Sequence, residues 1–135
     1  ILLKLVMLIY YKSPYNIHMT DLICCLSTGK GTWIEVARLI NNHAWDNIHL
    51  ITNDFGKEKF TSNKKVNFIL VDVNKGMEVM RNEIQNELKD KLSGEIAVNF
   101  TSGSGKEHMA LLSALMKMGM GMRFVVPVDS EIKEI

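Results

Sequence analysis

Apolar residues along the chain follow two kinds of pattern, and the two kinds alternate. Short continuous apolar runs bounded by turn residues are typical of strands buried on both faces, whereas apolar residues three and four positions apart are typical of helices packed on one side. The runs predict strands at residues 21–26, 47–52, 66–73, 96–100 and 122–126, with a short terminal strand at 132–135. The helical pattern covers residues 33–40, 76–92 and 106–118.

This alternation predicts an α/β fold, a Rossmann-like doubly wound and mostly parallel sheet of five to six strands. The weakest part of the predicted topology is residues 55–65, which are barely long enough for a parallel crossover. A length of 135 residues suits one domain. We expect residues 19–135 to form that domain and residues 1–18 to be an N-terminal extension of uncertain status.

Composition and charge narrow the classes of function. The chain is 47% apolar and 23% charged, with a net charge of +1, so we expect a globular protein without bulk DNA binding. The apolar residues 1–11 are too few to span a bilayer, and no membrane association is expected. Cys24 and Cys25 are adjacent, which is neither metal-ligand nor redox CxxC spacing and fits a reducing cytoplasm. No metal site and no cofactor are predicted.

Two loops of small residues follow the first and fourth strands, at residues 27–32 and 101–105. Each leads into a helix, and glycines followed by the free N–H groups of a helix start form an anion site. If the first and fourth strands are neighbours at the centre of the sheet, both loops line one crevice suited to a phosphate-bearing ligand. The alternative is a pair of ordinary strand-to-helix turns. Thr32 and Glu35 also match a capping box.

Neither loop is a known nucleotide motif. The residue after Lys106 is Glu107 and the residue after Lys30 is Gly31, so neither loop is a Walker A sequence, and the GxGxxG dinucleotide pattern is absent as well. Ordinary P-loop NTPase and NAD-binding functions are therefore not favoured.

Five side chains each have a functional and a structural interpretation. Lys30 and Lys106 can place an ammonium group against a phosphate, or simply be exposed lysines near a helix start. His108 can bind a ligand or act as an acid or base, or it can pack. Asn53, together with Asp54 at the end of a strand, can reach a ribose or base, or cap the turn.

The run from Asn99 to Lys106, NFTSGSGK, resembles the Asn-x-Thr-Gly-Gly-Thr-Lys-type signature of CARF domains, the CRISPR-associated Rossmann-fold sensors. Ser27, Thr28 and Gly29 are similar to that family's other characteristic site after the first strand. The resemblance covers about residues 19–128. The chain departs from the signature in two ways: the second glycine falls on Ser102 or Gly105, and the spacing to Lys106 is one residue longer.

The resemblance implies a stand-alone CARF protein of type III CRISPR signalling in antiviral defence. It implies a homodimer whose crevices join into one pocket for a cyclic oligoadenylate, and it leaves open a metal-independent ring nuclease with Lys106 and Ser27 as catalytic candidates. The candidate ligand-binding residues are Ser27, Thr28, Gly29, Lys30, Asn53, Asn99, Thr101, Ser102, Gly103, Ser104, Gly105, Lys106 and His108. Two alternatives remain: a non-catalytic module for another nucleotide or phosphorylated metabolite, and a structural subunit that associates through residues 1–11.

Overall fold

The computed structural model describes residues 20–26, 29–92 and 94–135, and strands and helices alternate along them. The strands are β1 (Thr20–Cys25), β2 (Ile48–Thr52), β3 (Asn67–Leu70), β4 (Glu95–Asn99), β5 (Met122–Val128) and β6 (Glu131–Glu134). The helices are α1 (Trp33–Asn41), α2 (Asp54–Lys59), α3 (Met77–Leu88) and α4 (Gly105–Lys117), and a 3-10 turn at Lys30–Thr32 precedes α1. The expected extension at residues 1–18 lies outside the described residues, and the domain division stays a prediction.

The six strands form one sheet in the order β3-β2-β1-β4-β5-β6. The first four pairs of neighbours are parallel, and β6 is antiparallel to β5. The central strand β1 lies beside β4, with Cys24 opposite Asn99. The predicted α/β class, the mostly parallel sheet and the central position of the first and fourth strands are confirmed.

The side chains of β1 alternate between two buried clusters, one on each face of the sheet. Leu22 and Cys24 belong to the cluster covered by α1, and Ile23 and Cys25 belong to the cluster covered by α3 and α4. Every residue of β1 is buried. Burial on both faces explains why this strand is a continuous apolar run.

Within the described ranges, none of the helices combines the length and apolar character needed to cross a bilayer.

The short connection between β2 and β3 contains a helix that the apolar pattern did not predict. Asn53 caps α2, because its side-chain Oδ1 accepts a hydrogen bond from Gly56 N at 2.9 Å. A Cβ at Gly56 would lie 1.9 Å from Thr52 Oγ1, so only glycine lets α2 pack this closely on the end of β2. This close packing shortens the path of the crossover, and β2 and β3 pair in parallel.

The capping box predicted at Thr32 and Glu35 is wrong. Thr32 already has helical backbone angles (φ −98°, ψ −1°) and no side-chain cap bond, because the 3-10 turn runs directly into α1. A capping residue needs an extended backbone for its side chain to reach the N–H groups of the first turn. Ser104 has that backbone (φ −116°, ψ 162°), and the same Ser/Thr-x-x-Glu pattern forms its box there with Glu107.

A buried polar cluster lies at the amino ends of β1, β2 and β3. His49 is only 2% exposed, with Nε2 3.4 Å from Asp21 Oδ2 and Nδ1 2.9 Å from Asn67 Nδ2. An amide nitrogen only donates, so Nδ1 accepts and the ring proton lies on Nε2, toward Asp21. Burial lowers the pKa of His49, although the hydrogen bond to Asp21 acts in the opposite direction. His49 is therefore a neutral core histidine at pH 7.

Acidification is expected to destabilise the fold through His49. A histidine in the unfolded chain binds a proton below about pH 6.5, whereas the buried ring, whose pKa is lowered, resists it. The stability that His49 contributes is thus complete above about pH 6.5 and is lost as the pH falls, by at most about 1.4 kcal/mol per pH unit. Urea unfolding between about pH 5 and pH 7 should show the wild-type advantage over His49→Gln shrinking with acidification. An advantage that is constant with pH would contradict this assignment.

Candidate functional site

The carboxyl ends of β1 and β4 lie side by side at the centre of the sheet. Since Cys24 is opposite Asn99, the loops that follow these strands start from neighbouring positions. The chain leaves β1 for α1 on one face and leaves β4 for α4 on the other, which creates the crevice at which doubly wound sheets bind ligands. Gly29 and Lys30 follow β1 at this edge, whereas Ser27 and Thr28 lie outside the described residues.

Asn99 holds the β4–α4 loop in place. Its side chain is 4% exposed; Nδ2 donates to Val125 O at 2.8 Å, and Oδ1 accepts from Thr101 N at 3.0 Å. These two bonds join the loop to β5 and turn the chain sharply after the strand. The side-chain amide of Asn99 thus fixes the conformation of the loop.

Gly103 brings the same loop against the end of β1. Its φ of +98° is a conformation that side-chain-bearing residues rarely adopt. A Cβ at this position would lie 2.7 Å from Cys25 Cβ, 2.8 Å from Glu107 Oε2 and 3.0 Å from His108 Nε2. The neighbouring Ser102 is buried, with 1% of its surface exposed. Glycine is therefore required here by backbone angle and by space.

The start of α4 already has a carboxylate. Glu107, which is 8% exposed, accepts a hydrogen bond from Ser104 N at 2.7 Å. This carboxylate satisfies one donor of the helix start and neutralises part of the positive end of the helix dipole. The N–H groups of Gly105 and Lys106 belong to the first turn and have no acceptor within the helix. Thr101, Ser104 and Gly105 are exposed at the surface of the loop.

Lys106 ties two loops at this edge together. Its ammonium group donates to the backbone oxygen of Val73 and, at 2.6 Å, to that of Lys75. Both acceptors belong to the loop between β3 and α3. They are 33 and 31 residues away along the chain, so no local sequence signal could have identified them.

His108 packs under the loop. Its ring stacks on Phe100, with centroids 4.8 Å apart and planes 9° apart, and Nε2 lies 2.8 Å from Ser102 O. A ring nitrogen facing a carbonyl oxygen must carry a proton, so Nε2 donates and cannot act as a base. His108 therefore packs against the loop and supports it, and it does not face the exposed carboxyl edge of the sheet.

Lys30 and Asn53 lie on other elements of the same edge. Lys30 is exposed, its Nζ is 5.9 Å from the ring centroids of both Trp33 and Phe55, and no ion pair in the described part of the chain includes it. Its charge is available to a ligand. Asn53, in contrast, uses its side-chain oxygen to cap α2, which is the structural one of its two interpretations.

The two cysteines are not suited to nucleophilic chemistry. Both are free and buried in β1. Burial raises the pKa of Cys24 to about 12 and raises the pKa of Cys25 well above its usual value. A buried thiol that stays protonated is inert. Among the described residues, no group of three or more His, Cys, Asp or Glu side chains could hold a metal ion.

Apart from Gly29 and Asn53, the candidate residues that the structure describes fall into two groups. Asn99, Ser102, Gly103 and His108 build the loop, together with Glu107, and their polar groups are largely occupied by other parts of the protein. Lys30, Thr101, Ser104, Gly105 and Lys106 are exposed or half-buried at the carboxyl edge of the sheet.

Comparisons with known proteins show the fold but not a family. No protein-family model and no curated protein matches the sequence. Among solved structures, the chain is similar to Enterococcus italicus Csm6 bound to cyclic hexa-2′-fluoro-hexa-dAMP, with 14% sequence identity and a TM-score of 0.54. The similarity covers 79% of this chain and 33% of that chain, so this chain spans about a third of the length of that protein. One fold serves many functions, so similarity of fold alone does not identify what a site binds.

Proposed function

We propose that this chain binds a cyclic oligoadenylate at the carboxyl edge of the sheet, between the loops that follow β1 and β4. The observation that carries the proposal is the pairing of β1 with β4, which starts both loops from neighbouring strands at the switch point. The similarity in fold to Csm6, whose solved structure is bound to cyclic hexa-2′-fluoro-hexa-dAMP, supports this choice of ligand. So does the resemblance of the run from Asn99 to Lys106 to the CARF signature.

The exposed groups of the β4–α4 loop have the chemistry that a phosphodiester needs. In this proposal the hydroxyl groups of Thr101 and Ser104 and the first-turn N–H groups of Gly105 and Lys106 donate to phosphate oxygens. Lys30 supplies a charge from the opposite loop. Hydroxyl and backbone donors position the ligand, and the two ammonium groups provide most of the attraction.

Because a carboxylate already lies at this helix start, the positive charges of Lys30 and Lys106 contribute more to phosphate binding here than they would in a glycine loop without an acidic side chain. Glu107 already occupies the positive end of α4, and its carboxylate repels a phosphate. Lys106 must also leave the oxygens of Val73 and Lys75 to reach a ligand. The attraction between the ammonium group and a phosphate of opposite charge, which a neutral carbonyl oxygen does not supply, favours that exchange.

Two copies of the chain in a cytoplasmic homodimer would present the same groups twice. A two-fold axis through the joined crevices matches the symmetry of a cyclic ligand with an even number of nucleotides. Each phosphate on one side of the ring then meets the same donors as its counterpart on the other side.

Cleavage of the bound ring is a further part of the proposal. A ribose 2′-oxygen held in line attacks the adjacent phosphorus and the bond from phosphorus to the 5′-oxygen breaks, which leaves a 2′,3′-cyclic phosphate and a 5′-hydroxyl. The 2′-hydroxyl proton passes to water, and the leaving oxygen takes a proton from Lys106 or from water. Lys106 stabilises the charge that develops on the phosphate, and Ser27 is the second catalytic candidate. The reaction needs positioning and charge, and it requires no metal ion.

Neutralising either lysine is expected to weaken binding at least about tenfold, because a hydrogen bond to a charged group contributes roughly 1.5–3 kcal/mol and each 1.4 kcal/mol corresponds to a factor of about ten. Fluorescence anisotropy with labelled cyclic tetra- and hexa-adenylate would compare Lys106→Met and Lys30→Met with the wild type. Lys117→Met is the matched control, because Lys117 is exposed at the other end of α4. Urea unfolding of each variant separates lost binding from lost stability. Absence of binding to either ring by the wild type would contradict the proposed function.

Incubation of the wild-type protein with each ring in EDTA tests cleavage separately. A linear product ending in a cyclic phosphate supports the nuclease. Tight binding with unchanged ligand would contradict the nuclease and leave a pure binding protein.

A further inference from the structure

A groove of about 800 Å³ runs along the outer edge of β3, between α2 and α3. Within the described sheet, β3 pairs with β2 alone and forms one of its two edges. Val71 N donates to Thr52 O at 2.9 Å, so the backbone N–H and C=O groups of Val71, and of every second residue before it, face β2. Because orientation alternates along a strand, the N–H and C=O groups of Phe68 and Leu70 face away from β2, into the groove.

The two edge strands of the sheet differ in how well they are protected against pairing with another strand. The edge strand β6 has the sequence EIKE, and charges of this kind discourage pairing with another strand. The edge strand β3 has the sequence NFIL and carries no charge. Its last residue, Leu70, is 42% exposed, and Val73, at the end of the groove, is 44% exposed. An uncharged edge with apolar side chains is suited to accept another strand.

The groove has an excess of negative charge. Its charged lining residues are Asp54, Asp72, Glu83 and Glu87, against Lys57 and Lys75. The lining thus carries two more carboxylates than ammonium groups, and the ammonium group of Lys91 pairs with one of these carboxylates from outside the lining. Lys75 bonds Glu83 at 2.7 Å and Lys91 bonds Glu87 at 3.3 Å, but both pairs are exposed, and exposed ion pairs are weak enough to exchange for another partner.

We propose that this groove binds an extended peptide in which Lys or Arg alternates with apolar residues, and that the peptide adds to β3 as a further strand. Leu70 and Val71 point to opposite faces of the sheet, and Val71 belongs to the cluster under α3. Apolar side chains of the peptide then cover Leu70 on one face, and its basic side chains reach Glu83 and Glu87 on the other. A second copy of the chain is a poor occupant, because it would bring the same carboxylates together.

A labelled peptide of alternating Val and Lys, acetylated and amidated at its ends, tests the proposal by fluorescence anisotropy on the full 135-residue chain. We expect it to bind at least tenfold more tightly than the matching peptide of Val and Glu. Replacing both Glu83 and Glu87 with Gln should weaken binding about tenfold, whereas Glu131→Gln, on the opposite edge, should not change it. Equal affinity for the two peptides would overturn the proposal.

Two further changes test the strand pairing itself. Leu70→Pro removes an N–H that faces the groove and leaves the ladder to β2 intact, because proline is tolerated on that side of an edge strand. We expect it to weaken binding at least tenfold, while Leu70→Val does not. A Val/Lys peptide methylated on alternate backbone nitrogens should also bind at least tenfold more weakly when the methyl groups face β3. Full binding by both would overturn the proposal.

Discussion

Replacing Asn99 with aspartate is expected to lower the free energy of unfolding by about 4 kcal/mol at pH 7, the cost of an uncompensated buried charge. The change keeps the shape of the side chain but turns the Nδ2 donor into an oxygen that faces Val125 O across 2.8 Å. Two acceptors then repel each other in a position that is only 4% exposed. The bond from Thr101 N can persist, so the loss falls on the link between the loop and β5.

The effect of Asn99→Asp should depend on pH in a characteristic way. Burial beside a carbonyl favours the protonated acid, which raises the pKa of the new carboxyl above that of an unfolded aspartate, near 3.9. The destabilisation is therefore greatest above the raised pKa and shrinks as the pH falls toward about 4. Urea unfolding over this range measures it, with Asn82→Asp on the exposed surface of α3 as the control. A similar cost at both positions would mean that the bond to Val125 contributes little.

Replacing Gly103 with alanine is expected to cost about 3 kcal/mol, because two penalties act together. A left-handed backbone costs a residue with a side chain roughly 1–2 kcal/mol, and forcing an extra methyl group into a packed site costs roughly 1–3 kcal/mol. The methyl group at Gly103 would lie 2.7 Å from Cys25 Cβ, which belongs to the central strand and cannot move aside. The loop has to lift from β1 to accommodate it.

Gly105→Ala is the matched control for Gly103→Ala. Gly105 lies two residues further along, inside the first turn of α4, and a Cβ there would meet nothing within 4 Å. Alanine is favoured over glycine by roughly 0.5–1 kcal/mol in the middle of a helix, and Gly105 is the first residue of α4, so this variant should be no less stable than the wild type. Comparison of the two urea midpoints gives the result directly. Equal stability of the two variants would show that the loop tolerates a side chain at Gly103.

Variants at Asn99 and Gly103 also help to distinguish residues that build the site from residues that contact the ligand. Asn99 and Gly103 hold the loop through Val125 and Cys25, so their replacement should reduce stability and binding together. Lys30, which is exposed and lies beside aromatic rings, should affect binding with little change in stability. Measuring both quantities on the same variants therefore distinguishes the two groups of candidate residues.

The order and type of the main elements were determined by the sequence alone. A strand buried on both faces has to be continuously apolar, and a helix packed on one side has to repeat its apolar residues every three to four positions. Both patterns depend on near neighbours in the chain and can be read without knowing the fold. The helix α2 could not be predicted in this way, because six residues are too few to show a helical period.

The roles of the side chains at the site were decided only by the tertiary structure. The pattern Ser/Thr-x-x-Glu occurs at Thr32 and at Ser104, yet only the extended backbone at Ser104 allows a capping box. Lys106 bonds oxygens more than thirty residues away, and Gly103 is required by the Cβ of Cys25 on another strand. Such contacts depend on which elements pack together, whereas the local pattern specifies only which elements form. The glycine loop after β4 was thus evident from the sequence, and its separation into supporting and exposed groups came from the packing of β1, β5 and the β3–α3 loop around it.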